Sequence, residues 1–97
     1  MDVTPKHLRF NEDKYLKEAA DYIYASYQKH YGNEVQPIDC IMAGGHGTGF
    51  CIGSIQKYSG RYGKKAGEAR KDLLKIIHYA ILQLHNHDEF ETQKESK

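Results

Sequence analysis

A chain of 97 residues with 39% hydrophobic and 28% charged content can bury one modest core and is too short for several domains. A net charge of +1 excludes a general nucleic-acid binder, which needs a broad basic excess, so any anion site must be local. No apolar run is long enough to span a membrane, and the opening MDVTPKHLRF lacks a signal-peptide apolar region, so a cytoplasmic protein is expected. Cys40 and Cys51 do not form a CxxC pair and are expected to be free and buried. Eight tyrosines, each with an apolar body and a polar tip, suit interfaces and base-stacking pockets as well as core edges.

Residues 1–10 contain Pro5, show no period and read as a flexible arm. Asn11 is placed to cap a helix, with Glu12 and Asp13 at its positive end. Leu16, Ala19, Ala20, Ile23, Tyr27 and Tyr31 then follow a helical stripe that stops at Gly32-Asn33. Pro37 opens a short second helix, with Ile38, Ile41 and Met42 apolar and Asp39 at its start. A third helix runs from about Gly49 to Arg61, with Phe50, Cys51, Ile55 and Tyr58 on its apolar side. Gly63-Lys64-Lys65-Ala66-Gly67 makes a corner. The last helix runs from near Glu68 to about Asn86. Leu73, Ile76, Ile77, Ala80, Ile81 and Leu84 give it a wide apolar stripe, which predicts the most buried helix. Residues 88–97 are polar, aperiodic and expected to be disordered. The fold expected is all-α: a compact array of about four helices, two long and two short, forming a single helical domain over residues 11–87.

The segment GGHGTG at residues 44–49 resembles a nucleotide loop only superficially. A P-loop needs a preceding strand and a Gly-Lys-Ser/Thr ending, and a dinucleotide turn needs a βαβ unit; neither is present. A linker with Thr48 capping the next helix is the expectation. Lys57, Arg61 and Lys64 or Lys65 lie four, then three or four residues apart, so they share a face if the helix continues through them. Arg as a planar fork and Lys as a point charge suit phosphate, and Tyr31, Tyr58 or Tyr62 suit base stacking. A solvated helix face is the bland alternative. His30 fits a phosphate or sugar contact. Asp39 and Asp72 fit Mg²⁺ or the orientation of the cations. His85, His87 and Asp88 form an HxHD cluster, but residues two apart on a helix diverge, so histidines favouring a helix C-terminus are the expectation.

His30-Tyr31, Ile38-Asp39-Cys40-Ile41-Met42-Ala43, Phe50, Gly53, Lys57-Tyr58, Arg61, Gly63-Lys64-Lys65, Asp72-Leu73, Lys75 and His78-Tyr79 occur in one order. Together they resemble a family of small phage-encoded, nucleotide kinase-like proteins, over about residues 30–80. That family generally carries Asn after the glycine, where this chain has Ser54. The resemblance implies a phage protein that binds or acts on nucleotides. It implies a ligand site on His30, Tyr31, Asp39, Phe50, Ser54, Lys57, Tyr58, Arg61, Lys64, Lys65, Asp72 and Lys75.

Three functions remain open. One is sequestration of a nucleotide or cyclic nucleotide, such as a signal made by host antiviral defence, without turnover. Another is a nucleoside monophosphate kinase, which needs two nucleotide subsites and usually Mg²⁺. The last is a protein-interaction module that meets an acidic partner. No other cofactor, no membrane and no general nucleic-acid binding are expected. A homo-oligomer is expected, with the ligand pocket at or near the subunit interface.

Overall fold

The computed structural model describes residues 8–29 and 36–91. These form four α-helices and a π-helical turn, and no strand occurs among the described residues. The helices are α1 (Glu12–Lys29), α2 (Pro37–Ala43), α3 (Gly47–Arg61) and α4 (Ala69–Asn86), with the π turn at His87–Glu91. The all-α class with four helices is therefore observed; three of them run 15–18 residues and α2 alone is short, because α3 starts earlier than expected. The helix end at His87–Glu91 runs into the stretch expected to be a disordered tail. Backbone contacts divide the chain into two units, residues 1–33 and 34–97.

In the first unit, α1 starts at Asn11, which adopts a left-handed φ of 59°, a conformation Asn tolerates better than most residues. The Asn11 carbonyl accepts from the Tyr15 N–H at 3.2 Å. The Glu12 carboxylate reaches back to the Phe10 N–H at 2.6 Å, a bond that lowers the Glu12 pKa. Further along, Lys17 and Asp21 pair at 3.3 Å, but both side chains are largely exposed, so the pair contributes about 0.5 kcal/mol or less.

In the second unit, Gln36 and Asp39 close the start of α2. The Gln36 N–H donates to Asp39 Oδ2 at 2.7 Å, and the Asp39 N–H donates to the Gln36 carbonyl at 2.9 Å. Pro37 occupies the first helical position, where a missing N–H costs nothing. Gly45, at φ 84°, ends the helix in a Schellman motif. Within it, His46 N–H donates to the Ile41 carbonyl at 3.0 Å and Gly45 N–H to that of Met42 at 3.1 Å. α3 follows at once, with His46 as its N-cap. The glycines of GGHGTG thus form a helix stop and a helix start, joined directly.

Gly47 lies under Asn86. A Cβ there would come within 2.5 Å of Met42 Sδ and 2.7 Å of Asn86 Oδ1. Thr48 does not cap α3; it sits inside the first turn. Its Oγ1 accepts from Gln83 Nε2 at 3.1 Å and Asn86 Nδ2 at 2.9 Å. These bonds tie the start of α3 to the end of α4, so the two helices run antiparallel.

At the other end, Tyr62 and Gly63 build a type II turn. Tyr62 has φ −52° and ψ 127°, Gly63 has φ 79°, and Lys64 N–H donates to the Arg61 carbonyl at 2.9 Å. Gly67, at φ 77°, bends the following turn, where Glu68 N–H donates to the Lys65 carbonyl at 3.2 Å. The double turn brings the first turn of α4 back against the last turn of α3.

The apolar stripe of α4 is not its buried side. Leu73 is 45% exposed, Ile81 46% and Leu84 64%; Ile76 and Ile77 are half-buried, and the buried residues of the helix are Asp72 and Asn86. α4 meets α3 through the polar and aromatic face Asp72–Lys75–Tyr79–Gln83–Asn86, one position round from the stripe. Hydrophobic period located the helix but not the face that packs. Cys51 is buried at the centre of this seam, whereas Cys40 is exposed, contrary to the expectation that both are buried.

Candidate functional site

On α3, Phe50, Ser54, Lys57, Tyr58 and Arg61 recur at helical spacing and share a face. On α4, Asp72, Lys75 and Tyr79 do the same. The antiparallel hairpin joins the two sets.

Tyr58 is the centre of the site. Lys75 Nζ lies 4.8 Å from its ring centroid, Arg61 Cζ 5.0 Å and Lys57 Nζ 5.2 Å. All three are within cation–π range. The ring also stacks on Tyr79 at 6.0 Å and 12° between planes. Phe50 meets Tyr79 edge-on at 5.7 Å and 77°. His78 lies 6.2 Å from the Tyr79 ring. Burial, followed by the nearby Tyr58, pushes the Tyr79 phenol above its ordinary pKa; a hydrogen bond with Ser54 partly opposes this.

Asp72 is the anion within this group of cations. Its side chain is 1% exposed, against 28% for Arg61. Arg61 Nε donates to Asp72 Oδ1 at 3.0 Å, and Arg61 Nη2 donates to the same oxygen. The guanidinium holds the Asp72 carboxyl below its usual pKa against the opposing effect of burial, and Lys75 and Lys65 act in the same direction. The same bond raises the Arg61 pKa. Arg61 is therefore anchored by a carboxylate, while the Lys57 and Lys75 ammonium groups rest over the Tyr58 ring.

The structure rearranges several sequence expectations. α3 ends at Arg61, so Lys64 and Lys65 lie in the exposed double turn and do not extend a helical ridge. The third cation at Tyr58 is Lys75, from the next helix. Asp72 pairs across the hairpin with Arg61. Asp39 is engaged in closing α2, and Asp72 is bonded to Arg61, so the two carboxylates expected to hold Mg²⁺ serve different elements. Tyr62 is 49% exposed in the turn. His30 and Tyr31 lie outside the described residues. Tyr79 is the residue that sequence reasoning missed as a site member. Its place one helical turn after Lys75 and two after Asp72 carried the signal.

The Cys51 thiol is pushed up by burial, so it is protonated and packs as a small apolar group. Among the described residues, no three His, Cys, Asp or Glu side chains gather as metal ligands. No helix among them is long and apolar enough to cross a membrane.

Residues 23–81 match DUF3310, a family described as a protein of unknown function. The chain belongs to that family. The DUF3310 match contains every member of the Tyr58 cluster and ends before Gln83 and Asn86. No curated protein and no solved structure matches the chain.

Proposed function

We propose that this DUF3310 protein binds a nucleotide-type small molecule, with its phosphate on Lys57 and Lys75 and its base against the Tyr58–Tyr79–Phe50 aromatic group. The observation that carries this reading is three cations on one tyrosine ring beside a single buried carboxylate. Asp72 neutralises one of them, Arg61. The remaining two ammonium groups repel each other in a chain of nearly neutral net charge, and a phosphate relieves that repulsion. Phe50, exposed at the edge of the stack, offers its ring to a base, a contact worth about 1–3 kcal/mol per base.

Binding without turnover is the form of this function that the residues support best. Phosphoryl transfer needs a metal or equivalent clamp and a second nucleotide subsite. The two candidate metal carboxylates are engaged in a helix cap and a buried ion pair. With the resemblance to phage proteins, the reading becomes a sequestering protein in the host-cell cytoplasm that removes a signalling nucleotide of antiviral defence.

A thermal-shift series tests this reading, using nucleoside mono-, di- and triphosphates, cyclic nucleotides and inorganic phosphate, each with and without Mg²⁺. A bound ligand raises the midpoint by mass action. The expected result is a larger rise with one nucleotide class than with inorganic phosphate, with the nucleotide recovered unchanged. Mg²⁺-dependent transfer from a triphosphate to a monophosphate would establish the kinase instead. No rise with any compound would leave the cluster as a protein-facing surface.

A further inference from the structure

The net charge of +1 conceals a separation of charge along the hairpin. Among the described residues of the second unit, every Lys and Arg falls between Lys57 and Lys75. That stretch holds seven of the chain's 14 Lys and Arg but two of its 13 Asp and Glu. It comprises the last turns of α3, the double turn and the first turns of α4, so the fold gathers these cations at one end. Asp39, Asp88 and Glu89 stand at the other end, where α2 enters α3 and α4 runs into the π turn. Both carboxylates of the basic end are already committed, Asp72 to Arg61 and Glu68 to Lys71 at 3.6 Å. Lys64 and Lys65 are exposed in the double turn and make no ion pair among the described residues.

Aromatic rings are interleaved with these cations. Lys57-Tyr58 and Arg61-Tyr62 lie about one helical turn apart, and Lys64-Lys65 follow across Gly63. Tyr62 is 49% exposed at the corner of the type II turn and takes no part in the Tyr58–Tyr79 stack. Lys65, together with Lys75, acts on the Asp72 carboxyl, so its charge lies beside the cation cluster. The cationic track therefore begins at the Tyr58 ring and continues past the end of α3. An acidic peptide or a lipid surface would engage the lysines and leave Tyr62 unused. A polymer that alternates phosphates with planar rings engages both. The base faces of a duplex are stacked on one another, so the strand that fits is single.

We infer that the turn end of the α3–α4 hairpin binds a short stretch of single-stranded nucleic acid, with phosphates on Lys57, Lys64 and Lys65 and a base on Tyr62. This goes beyond a single nucleotide at Tyr58, because Tyr62, Lys64 and Lys65 lie outside that site. It also departs from the sequence expectation of no general nucleic-acid binding, which rested on net charge alone. The acidic end repels the strand beyond the track, so the footprint is a few nucleotides and binding is strongly salt-dependent.

Fluorescence anisotropy of the full chain with a labelled single strand of about 12 nucleotides, at about 50 mM salt, tests it. The logarithm of the binding constant should fall with the logarithm of salt concentration with a slope of about −2, about 0.7 for each lysine contact. Lys64→Ala with Lys65→Ala should reduce that slope to about −0.7 and weaken binding about tenfold or more. Tyr62→Ala should weaken binding about fivefold or more with the slope unchanged, as loss of one stacked base requires, and Tyr62→Phe should restore it. These positions are exposed, so the variants should melt like the wild type. Duplex of the same sequence and a poly-glutamate peptide should bind about tenfold more weakly than the strand or worse. Neither the Lys64 and Lys65 changes nor Tyr62→Ala should alter the thermal shift given by a mononucleotide, so the two readings fail separately. No anisotropy change up to about 100 μM protein overturns the inference. So does equal binding of poly-glutamate with Tyr62→Ala silent, because the end would then be a docking surface for an acidic protein.

Discussion

Arg61 Nε donates to Asp72 Oδ1 at 3.0 Å, and this bond places a carboxylate that is 1% exposed beneath a guanidinium that is 28% exposed. The two residues close the α3–α4 hairpin at its turn end, as Thr48, Gln83 and Asn86 close it at the other. A buried ion pair is not strong evidence of net stability, but removing one member leaves a charge buried without its counterion. Arg61 is thus first a structural residue, and its charge is already committed.

Asp72→Asn should lower the melting midpoint at pH 7 by roughly 5–10 °C, less than the loss of a fully buried pair because the Arg61 left behind is 28% exposed and partly solvated. The effect should depend on pH with a defined sign. Arg61 depresses the Asp72 pKa, so the native state binds that proton less readily than the unfolded chain. The contribution is complete above the unfolded carboxyl value of about 3.9 and is lost as pH falls through the lower folded value. Midpoints of wild type and variant should converge at the acid end. A gap that stays constant down to about pH 2 would show that the carboxylate charge is not the source of the difference.

Gly47→Ala and Gly60→Ala should act in opposite directions. At Gly47 a methyl would meet Met42 Sδ and Asn86, and the repacking should cost about 1–3 kcal/mol. At Gly60, inside α3, no heavy atom stands within 4 Å of a Cβ. Alanine there should stabilise by about 0.5–1 kcal/mol through helix propensity. Urea denaturation reads both, with the slope unchanged if only stability moves. Equal effects would contradict the close approach at Gly47.

Element type was legible where period and punctuation agreed. Pro37, the glycines at 44–45 and Gly63 marked ends that the structure keeps, because each satisfies a local backbone requirement. Packing was less legible. The apolar stripe of α4 suggested its buried side, yet the hairpin closes through Asp72, Tyr79 and Asn86, whose polar atoms find partners on α3 that no single-helix pattern shows. The cation cluster was half legible for the same reason. Lys57 and Arg61 share one helix, but Lys75 joins them only because the double turn at Tyr62–Glu68 reverses the chain.

His78 should make stability fall on mild acidification. Burial depresses its pKa, so the fold favours the neutral ring. Its contribution is complete above the unfolded value of about 6.5 and is lost as pH falls through the lower folded value. Between about pH 7.5 and 5.5 the wild-type midpoint should drop by a few degrees, and His78→Phe should flatten that slope. Circular dichroism melts at intermediate pH values decide this. An unchanged slope in the variant would assign the acid sensitivity to another group.

Lys57→Ala and Lys75→Ala should each weaken nucleotide binding about tenfold, the loss expected for one charge-assisted phosphate contact. Neither removes a partner of Asp72's two hydrogen bonds, so each protein should remain folded and its melt cooperative. Arg61→Ala should weaken binding too, but with a lowered midpoint, because it uncovers the buried carboxylate. The two lysine variants therefore isolate phosphate contact from fold. Titration at low and high salt adds an independent reading, since contacts made by exposed ammonium groups weaken as ionic strength rises. Loss of binding in Arg61→Ala with full retention in both lysine variants would place the phosphate elsewhere and leave Tyr58 a structural stack.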